Sequence, residues 1–130
     1  MTVEPISPNT NQEEIPRQTR YLSHAIVELR KFKYLPVFIK SAILLDISLG
    51  GFKIEFTADL SITPGLGYWL EMPLSPLGIY APKKLICKCE CRWFDPSQMR
   101  MGGVFTQEDR STQILLEQIV ETLKERDDLF

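Results

Sequence analysis

Leu44-Leu45-Asp46-Ile47-Ser48-Leu49-Gly50-Gly51-Phe52 reads as a strand that ends in a tight polar turn and opens at once onto a second strand. Alternate residues of a strand point to one face, so Asp46 and Ser48 project a carboxylate and a hydroxyl side by side where the strand ends. Gly50 and Gly51 follow; lacking a Cβ, they admit a positive φ or a close approach that a side chain would block. A carboxylate beside a hydroxyl suits a group that offers donors, such as the N1 and N2 hydrogens of a guanine edge. The same residues suit a purely local arrangement, in which Asp46 and Ser48 bond their own turn and Gly-Gly makes a hairpin corner. Asp-x-Ser-x-x-Gly alone is too short a pattern to separate the two.

Outward from this turn the chain alternates. Upstream, Val37, Ile39, Ile43, Leu45 and Ile47 share a phase, which predicts a strand over 37–47 with Leu44, Asp46 and Ser48 on its other side. Before it, Ala25, Val27 and Leu29 alternate within 21–33 as a first strand, ended by Tyr34-Leu35-Pro36. His24 falls on the opposite face, where a surface or rim position fits it better than catalysis. Downstream, Phe52, Ile54 and Phe56 alternate with Lys53, Glu55 and Thr57, the pattern of a half-buried antiparallel strand. Thr63-Pro64-Gly65 carries Pro and Gly where a type II turn needs them. Tyr68, Leu70 and Met72 predict a fourth strand, and Pro73 to Pro82 a loop.

A long strand over 83–94 follows, with Leu85, Cys87, Cys89, Cys91 and Trp93 pointing one way and Lys88, Glu90 and Arg92 the other. Trp93 could stack on a purine, but its phase with the cysteines assigns it to the core. After the turn Asp95-Pro96-Ser97, residues 99–106 return as a last strand. Thr106 and Asp109 suit a helix start, and Leu115, Leu116, Ile119, Val120 and Leu123 recur at helical spacing. Six short strands and one terminal helix predict a mainly β domain, an antiparallel barrel or sandwich with the helix on its rim or plugging one end.

Length and composition narrow the function. At 130 residues, 44% hydrophobic and 25% charged, the chain makes one ordinary globular domain. Residues 1–15, rich in Pro, Asn and Glu, read as a flexible tail, 16–124 as the domain, and 125–130 as a charged tail. A net charge of −2 argues against DNA or RNA as the partner. The apolar runs are short and broken by charge, so neither membrane insertion nor a secretory leader is expected. Cys87, Cys89 and Cys91 have neither redox-motif nor zinc-knuckle spacing and fit small hydrophobes lining a core, which suits a reducing, cytoplasmic setting. One histidine, no P-loop and no metal spacing leave little for an enzyme to use, and no cofactor is implied.

Arg17 and Arg20 close the tail just before the first strand, and a guanidinium fork fits phosphate oxygens or the O6/N7 edge of guanine and stacks on purines. With these arginines in view, the order of parts resembles the PilZ domain. In that family an RxxxR motif on an N-terminal arm precedes a six-stranded antiparallel β-barrel, a D/N-x-S-x-x-G motif joins the second and third strands, and a C-terminal α-helix ends the domain. Asp46-Ile47-Ser48-Leu49-Gly50-Gly51 matches the second motif in full, and the similarity continues through Pro64-Gly65, Arg92-Trp93 and Gly103-Val104-Phe105. The resemblance implies binding of the bacterial second messenger cyclic di-GMP. It assigns Arg17 and Arg20 as arm cations, Asp46 and Ser48 as partners of the guanine edge and phosphate side, and Gly51 as the backbone position needing no side chain. The arm departs from the family: Arg17-x-x-Arg20 is one residue short of RxxxR, which moves a side chain by ~3.3 Å and reverses its face if the arm is extended. Two functions follow as expectations. One is a non-enzymatic cyclic di-GMP receptor that relays the signal to a protein partner; the other is a nucleotide-independent adaptor acting through protein contacts in a motility, pilus or envelope system.

Overall fold

A computed structural model of the chain describes residues 21–106 and 109–128. The strands are β1 (Tyr21–Leu22), β2 (Ile26–Arg30), β3 (Ile39–Ile47), β4 (Gly51–Phe56), β5 (Gly67–Pro73), β6 (Lys84–Asp95) and β7 (Arg100–Phe105), followed by helix α1 (Arg110–Asp128). All pair antiparallel in the order β1-β3-β2-β5-β6-β7-β4, and β4 returns to β3. That last pairing closes a six-stranded barrel, to which β1 adds a short ribbon on the edge of β3. Closure removes the unpaired edges that an open sheet would expose.

The interior follows the period of two. Phe52, Ile54 and Phe56 of β4, Tyr68, Leu70 and Met72 of β5, and Leu85, Cys87, Cys89 and Cys91 of β6 are buried, as their alternation predicts. The thiols face apolar neighbours, and loss of hydration pushes Cys87 up to about 12 and Cys91 up to about 11. Pro64-Gly65 makes its turn with Gly65 at φ 93°. α1 packs against β1, β6 and the 3₁₀ turn Ser75–Leu77, burying Leu116, Ile119 and Leu123. Asp109 starts the helix, its Oδ2 accepting from the Thr112 N–H at 3.0 Å.

Several boundaries and faces differ from the expectation. The predicted first strand is broken: β1 and β2 both lie along β3 but are separated by Ser23–Ala25, where Ser23 Oγ accepts from the Ala25 N–H at 3.2 Å. The 73–82 loop contains a 3₁₀ turn whose Leu74 and Leu77 are fully buried. The helix continues through Glu125 and Arg126 to Asp128, beyond the predicted boundary at 124.

The more consequential differences come from two β-bulges. On β3, Leu44 faces Ile54 and Asp46 faces Lys53, so Leu45 is an extra residue. Ala42 and Leu44 therefore enter the core, while Ile43 and Leu45 are only half-buried, the reverse of their predicted phase. Past the bulge the phase flips, and Ile47 is buried opposite Phe52. On β6, Cys91 faces Gly103 and Trp93 faces Gly102, so Arg92 is extra. Trp93 consequently turns out of the core, 36% exposed, and Phe94 takes the inward phase beside Phe56.

Candidate ligand-binding site

The two bulges bring their displaced residues into one row. Asp46 pairs with Lys53, Lys53 with Gly102, and Gly102 with Trp93, across β3, β4, β7 and β6. Lys53 alternates with the buried Phe52 and Ile54, so the row lies on the barrel's outer face. At ~4.8 Å per strand step, the backbones of Asp46 and Trp93 stand ~14 Å apart.

Asp46 is the chemical centre of the row. Its side chain keeps 10% of its exposure, and Lys53 Nζ lies 3.5 Å from its Oδ2. A carboxylate so withdrawn from water requires counter-charge, and the lysine supplies it. At the far end the indole of Trp93 lies on Gly102, where a Cβ would overlap Nε1 and Cε2 and stand 2.7 Å from Cζ2. The lack of a side chain at Gly102 makes the flat seat that holds the ring.

The turn after β3 is held from within. Ser48 is fully buried, its Oγ accepting from the N–H groups of Gly50 at 3.3 Å and Gly51 at 3.2 Å. The Ser48 N–H donates to the Gly51 carbonyl at 2.8 Å, and the Phe105 N–H to the Gly50 carbonyl at 3.0 Å. The local reading of this motif is thus realised for Ser48. Gly51 is required by close approach rather than by its φ: a Cβ there would stand 2.5 Å from the Gly103 carbonyl oxygen. The neighbouring strand by itself excludes a side chain there.

Of the residues singled out in the sequence, the structure thus brings Asp46, Ser48 and Gly51 together at one corner. Arg17 and Arg20 lie outside the described residues. Lys53 and the outward Trp93 were not recognised as parts of this surface. Lys53 was legible from its polar phase two residues after Gly-Gly. Trp93 was hidden by the Arg92 bulge, although Gly102-Gly103 on the opposite strand signals a bare backbone that an aromatic ring can cover.

No family model matches the chain, and no curated protein matches it in sequence. Solved structures do match in fold. Over 88% of this chain and 95% of the other it superposes, with a TM-score of 0.66 and 13% identity, on the PilZ domain of YcgR from Escherichia coli, solved with c-di-GMP. The PilZ domain of CeSA from a cellulose-synthesizing bacterium gives 0.63 at 14% identity, over 82% of this chain and 98% of that one. The inhibitor of motility MotI/DgrA from Bacillus subtilis gives 0.61 at 16% identity, over 85% of this chain, which spans 52% of that longer protein. The chain accordingly has the fold of the PilZ domain, a closed six-stranded antiparallel barrel with one C-terminal helix.

Proposed function

We propose that the chain is a receptor for cyclic di-GMP, without chemistry of its own, that passes its ligand state to a protein partner in the cytoplasm. The observation that carries this reading is the register of β1 on β3: Tyr21 lies opposite Ile47 and Leu22 opposite Asp46. The described chain therefore begins beside the Asp46 corner. Covalent geometry keeps the Cα of Arg20 ~3.8 Å from that of Tyr21 and lets Arg17 range no more than ~14 Å from it. That reach accommodates the shortened Arg17-x-x-Arg20 spacing without requiring the family's own. The PilZ domain of YcgR solved with c-di-GMP adds support from fold likeness.

In this reading the arm arginines grip phosphate oxygens and guanine faces, and Asp46 accepts from a guanine edge. Ser48 and Gly51 act through the turn that fixes Asp46, as positioning residues. The ligand contacts both arm and barrel, so it favours the state in which they are together and changes the surface offered to a partner. The test is calorimetric titration with cyclic di-GMP. Removing charge-assisted hydrogen bonds of ~1.5–3 kcal/mol in Arg20→Ala should weaken binding roughly 10- to 100-fold; unchanged affinity in that variant would refute the site.

A second reading, a nucleotide-independent adaptor, is favoured by two contacts: Lys53 already meets Asp46, and the Ser48 hydroxyl is taken up by its own turn. A ligand that binds only the native state must raise the melting temperature. Saturating cyclic di-GMP that leaves the melting temperature unmoved selects the adaptor.

A further inference from the structure

β3 carries the Asp46 corner near its end; at its start, ~23 Å away at ~3.3 Å per residue, it carries a surface of different chemistry. The β2–β3 connection, residues 31–38, exposes Phe32 by 41%, Tyr34 by 78%, Leu35 by 57% and Val37 by 70%. Apolar side chains so concentrated within six residues are unusual on a barrel whose interior is otherwise well filled, and such patches mark interaction sites. The tip stands on a fixed base. The Lys31 N–H donates to the Phe38 carbonyl at 3.2 Å, Arg30 Nη1 donates to the Lys33 carbonyl at 2.8 Å, and the Phe38 ring packs 6.1 Å from that of Tyr68.

The same segment is cationic. Between Leu29 and Leu45 there is no acid, while Arg30, Lys31, Lys33 and Lys40 contribute +4 to a chain of net −2, leaving −6 for the remainder. The ammonium groups lie against the rings: Lys33 Nζ is 5.0 Å from the Trp69 centroid and 5.3 Å from that of Tyr34. Glu28 and Glu71 lie back on the strands, 3.8 and 4.0 Å from Arg30 Nε, and offset that charge, which leaves Lys31, Lys33 and Lys40 as the cations of the tip.

We infer that the tip of the β2–β3 hairpin is a peripheral docking surface for an anionic lipid bilayer, with Lys31, Lys33 and Lys40 on the headgroups and Tyr34, Leu35 and Val37 at the acyl boundary. Charge complementarity selects a negative occupant. The aliphatic pair selects lipid among negative occupants, since Leu35 and Val37 gain nothing from phosphates or stacked bases but gain from an acyl layer. Amphipathic aromatic rings and lysines together match the interfacial zone of a membrane. No helix among the described residues is long and apolar enough to cross a membrane.

The test is co-sedimentation of the full chain with phosphatidylcholine vesicles containing about a quarter phosphatidylglycerol, beside pure phosphatidylcholine vesicles. Binding is expected to the anionic vesicles alone. At roughly fivefold per lysine, Lys31→Gln, Lys33→Gln and Lys40→Gln together should weaken it about 100-fold, and Leu35→Ser with Val37→Ser should weaken it while leaving the salt dependence intact. Brominated lipids should quench Trp69 fluorescence in a Trp93→Phe background, a readout that needs no substitution at the tip. Cyclic di-GMP titrations should be the same for the tip variants and the wild type, which separates this surface from the proposed messenger site. The inference is overturned by no binding to anionic vesicles, by equal binding to neutral ones, by absent quenching, or by binding to polyglutamate or single-stranded DNA that the two serine substitutions do not alter and that vesicles do not compete.

Discussion

Gly102→Ala tests how the outer face of the barrel is held. The indole of Trp93 occupies the space a Cβ would need, with Cζ2 only 2.7 Å from it and two other ring atoms closer still, whereas carbon atoms in contact ordinarily stay ~3.5–4.0 Å apart. The backbone at Gly102 is paired on both sides, to Lys53 and to Trp93, so the ring must give way. Trp93 is 36% exposed, so most of its surface is covered. An indole buries on the order of 150–250 Å², and lifting it off would uncover roughly 50–80 Å² of that; at ~25 cal/mol per Å² the loss is about 1–2 kcal/mol. A domain of this size should then melt roughly 5–10 °C lower. The assay is a double-mutant cycle by thermal denaturation, with indole emission followed in a Trp69→Phe background, where Gly102→Ala should shift the spectrum to the red. With Trp93→Ala in place, Gly102→Ala should cost nothing and gain ~0.4–1 kcal/mol, because alanine restricts the unfolded chain more than glycine does. Equal destabilisation with and without the indole would refute the reasoning and place the cost in the backbone.

Lys53→Met removes the counter-charge of a carboxylate that keeps only 10% of its exposure, so the variant should be less stable in urea unfolding. In the proposed reading it also removes a cation whose bond to a ligand phosphate would be worth ~1.5–3 kcal/mol, so cyclic di-GMP affinity should fall at least about tenfold; a rise in calorimetry would make Lys53 a competitor for Asp46 rather than a ligand contact. Asp109→Ala removes the cap of α1 and should cost about 1–2 kcal/mol in urea unfolding, since Oδ2 accepts from the Thr112 N–H at 3.0 Å and the Ser111 hydroxyl at 2.7 Å; an unchanged midpoint would remove the cap from the account of the helix. Burial pushes Cys87 up to about 12 and Cys91 up to about 11, while an unfolded thiol titrates near ~8.5. The native state therefore keeps protons that the unfolded chain releases, and stability should fall as pH rises from about 9 to about 11, by up to ~1.4 kcal/mol per pH unit per thiol; if cysteine-to-alanine variants show the same alkaline slope, the thiols are not its cause.

The barrel was largely legible because most of its strands keep the period of two without interruption. Phe52, Ile54 and Phe56, then Leu85 through Cys91, alternate cleanly, and Leu116, Ile119 and Leu123 recur at helical spacing against the barrel. The reading failed where one residue was inserted into a ladder. Ile43 and Leu45 are as hydrophobic as Ala42 and Leu44, so composition could not reveal which pair faces inward, and the bulge that decides it has no residue signature of its own. Trp93 was misassigned for the same reason, its phase being counted through Arg92. The break between β1 and β2 was likewise invisible, because Ser23 and Ala25 continue the alternation while Ser23 Oγ takes the Ala25 N–H. The site was legible as a motif but not as a geometry: the spacing left open whether Ser48 serves its own turn, and its Oγ accepts from the N–H groups of Gly50 and Gly51.

The bulges are more than irregularities, because of what each residue would meet without them. Counted straight from Leu44, Asp46 would point into the barrel beside Ala42 and Leu44, where a carboxylate has no counter-charge among aliphatic side chains. The extra Leu45 carries it outside to Lys53 and gives the inward position to Ile47. Counted straight from Cys91, Trp93 would compete with Phe94 for the space beside Phe56; the extra Arg92 sends the indole out to Gly102 and lets Phe94 in. Each insertion thus solves a packing problem, but packing alone does not require the two displaced residues to share a row. They do share one, through Lys53 and Gly102, and it ends beside β1, whose Leu22 lies opposite Asp46. In the proposed reading, an acid, a lysine and an aromatic face in one row offer partners for the edge, the phosphate and the ring face of a purine nucleotide.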